Sequence, residues 1–346
     1  MRRLPIYFLI DVSESMVGEP LEQVENGMRN IIQELRTDPY ALETVFVSVI
    51  AFAGKAKSLS PLTELYKFYP PKFPIGGGTS LGIALNFLMD DIDKNVVKAT
   101  LETKGDWKPI IFLFTDGAPT DNVGQAIGRW QQHFKSKCNL VCISLGDNAD
   151  TNLLGSLTEN VLRLKDTDEY SFKAFFKWVT ASIKSSSISV SDTGNDDLQL
   201  ASTEGINLEK VDTQAPCKID ENFAVLLGKC SNTKKIYLVK YAKRLTKSDF
   251  ILNANVLYFR LVGAYPIDEE SYNSLSDGKS NRNINTNELI GLPTCPCCGN
   301  QLGVVICECG NIMCSDARTS ACPWCGIEGE LGEISGNGIN ITRGRG

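Results

Sequence analysis

Two sets of residues could do chemistry. One is a run of eight cysteines: Cys295-Pro-Cys297-Cys298-Gly, then Cys307-Glu-Cys309-Gly, Cys314, and Cys322-Pro-Trp-Cys325-Gly. A Cys-Pro-x-Cys-Gly unit is a knuckle whose tight turn aims two thiolates and backbone N–H groups at one ion. The other is a set of oxygen donors in three short loops. These are Asp11-x-Ser13-x-Ser15, then Thr79 behind Gly76–Gly78, and Asp116 between Thr115 and Gly117. Two carboxylates and three hydroxyls, with no histidine or cysteine among them, suit a hard octahedral ion such as magnesium or manganese.

The thiol set points to zinc. Four thiolates fill a tetrahedral shell and leave no position for a substrate, so the role is structural. The pairing stays open. Cys295, Cys298, Cys322 and Cys325 could close one ribbon-type site, with Cys307, Cys309 and Cys314 as further ligands and Cys297 as a fourth. Crossed pairings between knuckles and hairpin are equally allowed, so one or two zinc ions fit. Cys217 and Cys230 read as structural thiols, because the cluster suffices without them. Cys142, inside an apolar run, reads as a buried thiol, and Cys138 carries no partner signal. His133, the only histidine, reads as solvated.

Elements must position these groups. Ile6–Ile10, Val45–Ala53, Ile110–Phe114, Leu140–Leu145 and Val161–Leu164 are nearly continuous apolar runs, as in strands buried on both faces of a parallel sheet. Between them, apolar residues recur at helical spacing from Leu21 to Leu35, from Val123 to Phe134 and from Phe172 to Ile183, while Leu81–Ile92 is apolar almost all round. The alternation predicts an α/β, doubly wound, mostly parallel sheet over residues 1–184. The oxygen-bearing loops would then lie beyond the carboxyl ends of its strands, where such folds bind ligands.

Residues 185–205 turn polar and read as a linker. Residues 206–290, with strand-like runs Phe223–Leu227, Ile236–Tyr241 and Val256–Val262, read as a small β-rich domain. Residues 291–328 form the cysteine-rich, zinc-ribbon-like module, and residues 329–346 a disordered tail. Of 346 residues 42% are hydrophobic and 22% charged, an ordinary globular composition, and the net charge of −6 gives no global bias toward nucleic acid. The apolar start is short, holds Pro5, ends in Asp11 and has no small-residue cleavage site, so it reads as a strand rather than a leader. No stretch approaches a membrane span. Thiols clustered without an export signal read as metal ligands in a reducing compartment, with the cytoplasm as the expected address.

The set Asp11, Ser13, Ser15, Thr79 and Asp116 resembles the metal-ion-dependent adhesion site of von Willebrand factor A domains at all five positions. The resemblance spans roughly the first 184 residues. It implies that the serines bind the metal directly, that the threonine and aspartates bind it directly or through water, and that a partner's carboxylate fills an open position. Neutral hydroxyls leave such an ion attractive to an incoming anion.

With the terminal cysteines, nearly the whole chain resembles the TerY family of tellurium-resistance operons, though that family's carboxy-terminal domain is described with seven cysteines and one histidine and none of its histidine is present here. The resemblance implies a non-catalytic scaffold in stress-linked phosphorylation signalling, beside a protein kinase and a protein phosphatase.

Two other readings compete. A haloacid-dehalogenase-like phosphatase would use Asp11 as nucleophile, but it expects a second Asp where Ser13 stands, so the proton donor is missing. A nucleic-acid-binding protein would work through the zinc module and a basic strand face of Lys229, Lys234, Lys235, Lys240, Lys243, Arg244 and Lys247. Such a face more often guards a sheet edge. Gly76–Gly78 lack the lysine a phosphate-binding loop needs.

Overall fold

A computed structural model of the 346-residue chain describes residues 2–102, 104–146, 149–165, 168–193, 198–203, 208–211, 213, 222–247, 255–278, 280–316, 320–329 and 338–344. The chain divides into two compact units. The first holds Met1–Val12, Glu19–Pro74 and Thr79–Asp220, and the second Ser13–Gly18, Ile75–Gly78 and Glu221–Gly346.

The first unit is the α/β layer structure that the apolar runs predict. Its elements are β1 (Leu4–Asp11), α1 (Glu19–Leu35), α2 (Pro39–Thr44), β2 (Val45–Phe52), β3 (Ala56–Glu64), α3 (Leu81–Asn95), β4 (Ile110–Thr115), α4 (Gly124–His133), β5 (Asn139–Leu145), α5 (Thr151–Leu157), β6 (Val161–Leu164), α6 (Glu169–Thr193) and β7 (Leu208–Lys210). They form a seven-stranded sheet in the order β3-β2-β1-β4-β5-β6-β7. The five inner strands are parallel, while β3 and β7 are antiparallel edges.

Every residue of β1 and β4 is buried, because helices cover both faces. Tyr7, Leu9, Ile111 and Leu113 share a core with Leu85, Leu88 and Met89 of α3 and Trp130 of α4. The alternate residues carry an aromatic stack: Phe8 lies 5.7 Å from Phe112, and Phe114 5.7 Å from Phe175 of α6. On that face α1 approaches α6 so closely that a Cβ on Gly27 would lie within 2.0 Å of the Phe176 ring. Glycine is required there by space.

This unit reaches further than residue 184. Helix α6 runs on to Thr193, through serines that read as linker. Ser186 and Ser187 are buried, the Ser187 hydroxyl lies 2.7 Å from that of Thr44, and the Ser182 hydroxyl accepts from the Ala201 N–H at 3.0 Å. Partners for the hydroxyls let a polar sequence pack as helix. Strand β7 then pairs with β6, so Leu208–Lys210 belong to this sheet and not to the β-rich region.

The second unit contains β8 (Phe223–Lys229), β9 (Ile236–Lys247), β10 (Asn255–Pro266), α7 (Glu269–Leu275), β11 (Asn283–Asn285), β12 (Leu289–Ile290), β13 (Leu302–Ile306), β14 (Ile312–Ser315), β15 (Ser320–Ala321), β16 (Glu328–Gly329) and β17 (Asn340–Thr342). Its six-stranded sheet runs β12-β10-β9-β8-β14-β13. The hairpin between the knuckles is therefore continuous with the β-rich strands, through the parallel pairing of β14 with β8. The β-rich region and the cysteine module are one folded unit, where sequence separates them. The tail differs from expectation over 338–344, since β17 pairs with β11 and buries Ile341, while residues 330–337 and 345–346 lie outside the described residues.

Candidate metal centres

The oxygen-rich loops begin where β1 and β4 end. These strands are parallel neighbours with Ile10 opposite Phe114, so Asp11 and the Thr115–Gly117 turn leave the sheet at one edge. Asp11 is fully buried, and its Oδ2 accepts a hydrogen bond from Thr115 Oγ1 at 2.7 Å. Asp116 is also buried. Thr79 joins them in the first unit, since a Cβ on Gly117 would stand 3.7 Å from its hydroxyl. The Thr79 N–H donates to Thr120 Oγ1 at 3.0 Å, but its own buried Oγ1 has no hydrogen-bond partner among the described residues. A buried hydroxyl without a partner is costly unless something else takes its lone pair. Ser13 and Ser15, which group with the second unit, are buried with their hydroxyls 3.1 Å apart. The first-unit donors Asp11, Thr79 and Asp116 are all oxygens and the Thr79 hydroxyl is orphaned, which fits a hard cation.

Sequence reasoning missed Thr115 and Asp121. Thr115 orients Asp11. Asp121 accepts from the Gly82 and Ile83 N–H groups at 3.2 and 3.0 Å and so fixes the start of α3 behind Thr79. The only cue was an Asp-Asn pair in a loop, a common turn former.

The thiols assemble into two groups of four. Cys230, Cys295, Cys298 and Cys314 form an inner group and Cys307, Cys309, Cys322 and Cys325 an outer one, with all sulfurs of a group within 4.8 Å of each other. The two Cys-Pro-x-Cys-Gly knuckles thus serve different groups. Sulfur separations are 3.7 and 3.8 Å in the inner group and 3.6 and 3.9 Å in the outer. A tetrahedral ion with metal–sulfur bonds of about 2.3 Å requires an edge of about 3.8 Å, so both groups could hold metal. Cys297 belongs to neither. Cys230, set aside from sequence, supplies the fourth inner thiol, and Cys217 lies outside the described residues.

The Cys230 turn explains that miss. In both knuckles the first cysteine's N–H donates to the carbonyl five residues on, Asn300 or Ile327, and its carbonyl accepts from a glycine N–H four residues on. Cys230 does the same with Lys235 and Lys234. The glycine position is filled by Lys234 at φ +60, whereas Gly299 and Gly326 both stand at φ +78. One cysteine and no glycine left no motif to see.

Surroundings tune the thiols. Burial works to raise Cys230, but hydrogen bonds from Thr233, Cys298 and the Asn232 backbone outweigh it and bring the thiol down to about 6. Burial likewise opposes ionisation of Cys309, yet donors from Asn311, with Cys307 and Cys325 beside it, hold it at about 6. Burial, the largest cause, pushes Cys138 up to about 12, and burial alone raises Cys142, both inert core thiols.

The expected basic face is not one surface. Lys240 is buried, with its ammonium 4.3 Å from the centre of the Phe223 ring, while Lys229 pairs with Glu269 at 3.2 Å and lies over Trp324. His133 is exposed at the end of α4.

A layered sheet with acidic and hydroxyl donors at its carboxyl edge defines a von Willebrand factor A-type protein, and residues 6–177 match the von Willebrand factor type A domain. Residues 220–346 match the TerY-C metal binding domain. The chain is therefore a von Willebrand factor A-domain protein with a TerY-type carboxy-terminal metal-binding domain.

Among curated proteins it is 25% identical over 154 residues to inter-alpha-trypsin inhibitor heavy chain H1 of Bos taurus, covering 43% of this chain and 17% of that one. It is 26% identical over 166 residues to heavy chain H6 of Homo sapiens, covering 44% and 12%. The chain thus spans less than a fifth of the length of these relatives. Similar solved structures include a von Willebrand factor type A protein from Catenulispora acidiphila (13% identity, TM-score 0.41, 82% of this chain and 61% of that). Another is proximal thread matrix protein 1 from the mussel byssus with a zinc-occupied MIDAS motif (19% identity, TM-score 0.39, 54% and 46%). No helix among the described residues is long and apolar enough to cross a membrane.

Proposed function

We propose that the protein is a non-catalytic, metal-dependent interaction adaptor. Asp11, Ser13, Ser15, Thr79 and Asp116 hold magnesium or manganese, and the open coordination position takes a carboxylate from a protein partner. The observation that carries this reading is the buried hydroxyl of Thr79, unpartnered among the described residues, on the sheet unit whose edge also holds buried Asp11 and Asp116. The inner and outer thiol groups each hold one zinc, four-coordinate and structural. By family resemblance, the partner belongs to a stress-linked phosphorylation system, a kinase or phosphatase of the tellurium-resistance type, in a reducing cytoplasm.

The test measures magnesium binding and partner capture by the full chain, with Asp11→Ala beside it. Capture that persists after magnesium is dialysed away, or that survives Asp11→Ala, would refute the reading. Phosphoester turnover that disappears in Asp11→Asn would establish the phosphatase instead. The nucleic-acid reading is weakened by the burial of Lys240 and the pairing of Lys229. It would return if binding with a steep salt dependence survived Asp11→Ala.

A further inference from the structure

The two thiol groups have the same donors and nearly the same spacing, but they face different surroundings. In the inner group Cys230, Cys295 and Cys314 are buried within the apolar core beside Tyr237 and Ile312. Its sulfurs also accept hydrogen bonds from the Ser231 and Thr233 N–H groups, each at 3.3 Å. In the outer group Cys309 and Cys325 are exposed and only Cys322 is buried. Thiolate oxidation needs access, and with identical chemistry on both sides access decides the order.

We infer that the outer group is an oxidation-sensitive site that gives up its metal to peroxide-class oxidants while the inner group keeps its own. This rests on the reading of both groups as zinc sites. The exposed Cys325 thiolate attacks one peroxide oxygen, the O–O bond breaks, and the departing hydroxide takes a proton from the buffer to become water, leaving a sulfenic acid on Cys325. The Cys307 sulfur, 3.6 Å away, attacks the Cys325 sulfur, the S–O bond breaks, and the second hydroxide is protonated by solvent. In sum, two thiolates, one hydrogen peroxide and two protons become one disulfide and two waters, with two electrons passing from sulfur to oxygen. Only Cys309 and Cys322 then remain as thiolates, too few to retain the ion.

The experiment uses the full reduced chain, with zinc content measured first. Fewer than two zinc ions per chain would overturn the site reading beneath the inference. With two present, hydrogen peroxide is titrated while a chromophoric chelator reports released zinc and differential alkylation with mass spectrometry maps the thiols. The expected result is one equivalent released at a dose about tenfold below that for the second, with Cys307 and Cys325 protected from alkylation first. Release of both equivalents together, or first protection among Cys230, Cys295, Cys298 and Cys314, would overturn the inference. Cys297→Ser guards against another route, because this thiol follows Cys295 by two residues in the same turn. The order is expected to persist in that variant, and its loss would mean that oxidant enters through Cys297.

Discussion

The two units solve the same problem with different materials. The first buries a long parallel sheet under helices on both faces, and its cores are hydrocarbon and aromatic rings. The second places Cys230, Cys295 and Cys314 inside a much smaller apolar cluster. A large core can hold a metal site as a feature of its rim, whereas a small one needs the metal as a cross-link. Metal removal should therefore cost the first unit its ligand and the second unit its fold. The contrast can be broken by experiment.

The largest effect is expected at Cys314, whose sulfur lies 3.7 Å from Cys298 and 3.8 Å from Cys230 and also accepts from Ser231 N–H. Cys314→Ser should remove the inner ion and with it a binding free energy on the order of 10 kcal/mol that folds the unit. Hydrogen exchange on the full chain should show β8, β9 and β14 unprotected while β1, β4 and β5 stay closed. Equal loss in both units would end the contrast.

Gly27 probes the other kind of core. A Cβ there would overlap the Phe176 ring, which is itself packed by Phe114, Phe172 and Phe175, so it has no easy escape. Gly27→Ala should destabilise the first unit by about 1–3 kcal/mol in thermal or denaturant unfolding. Zinc affinity should not move. A change in zinc affinity would show that the two units do not keep separate accounts of stability.

How much of this was legible in the sequence follows the same division. Strands buried on both faces announce themselves, and β6 was read at its observed bounds, Val161–Leu164. Strand β3 was invisible because it is a half-exposed edge holding Pro61, with no apolar alternation to read. In the second unit, β17 is three residues with one apolar side chain, a signal that exists only once β11 is beside it. The adhesion-type donors could be proposed from sequence because each follows a strand or opens a helix. The helpers Thr115 and Asp121 could not, since their roles are hydrogen bonds to groups far along the chain. Cys230 was lost to its lysine: the turn needs a left-handed residue, and Lys234 takes that conformation where the knuckles use glycine.

A smaller effect is expected at Tyr237. Its buried hydroxyl donates to the Gly303 carbonyl at 2.7 Å, tying β9 to the knuckle hairpin across the core, and burial raises its pKa well above the usual tyrosine range. Tyr237→Phe leaves that carbonyl without its donor and should cost about 1–2 kcal/mol, read as a lower unfolding midpoint of the second unit with both zinc ions retained. Loss of zinc in this variant would mean that the ions follow the sheet. The reverse dependence, sheet upon ions, is what the small core demands.

The smallest effect is expected at Cys297, and its smallness is the point. This thiol stands between two ligands of the inner group, in the turn that delivers them, yet it belongs to neither four-thiol set and is only half-buried. Its neighbours aim by backbone geometry, through the Cys295 N–H to Asn300 carbonyl bond and the Gly299 N–H to Cys295 carbonyl bond, and neither uses the Cys297 side chain. Serine fits the same φ and ψ and removes no ligand, so Cys297→Ser should change stability by less than about 0.5 kcal/mol and leave two zinc ions bound. Under native conditions, alkylation of the zinc-loaded chain should label Cys297 ahead of the other described cysteines, because Cys138 and Cys142 are sealed in the first core and the eight ligands are occupied. Zinc stoichiometry that drops in Cys297→Ser would return this thiol to the ligand set, and the inner site would then have to exchange Cys230 for it.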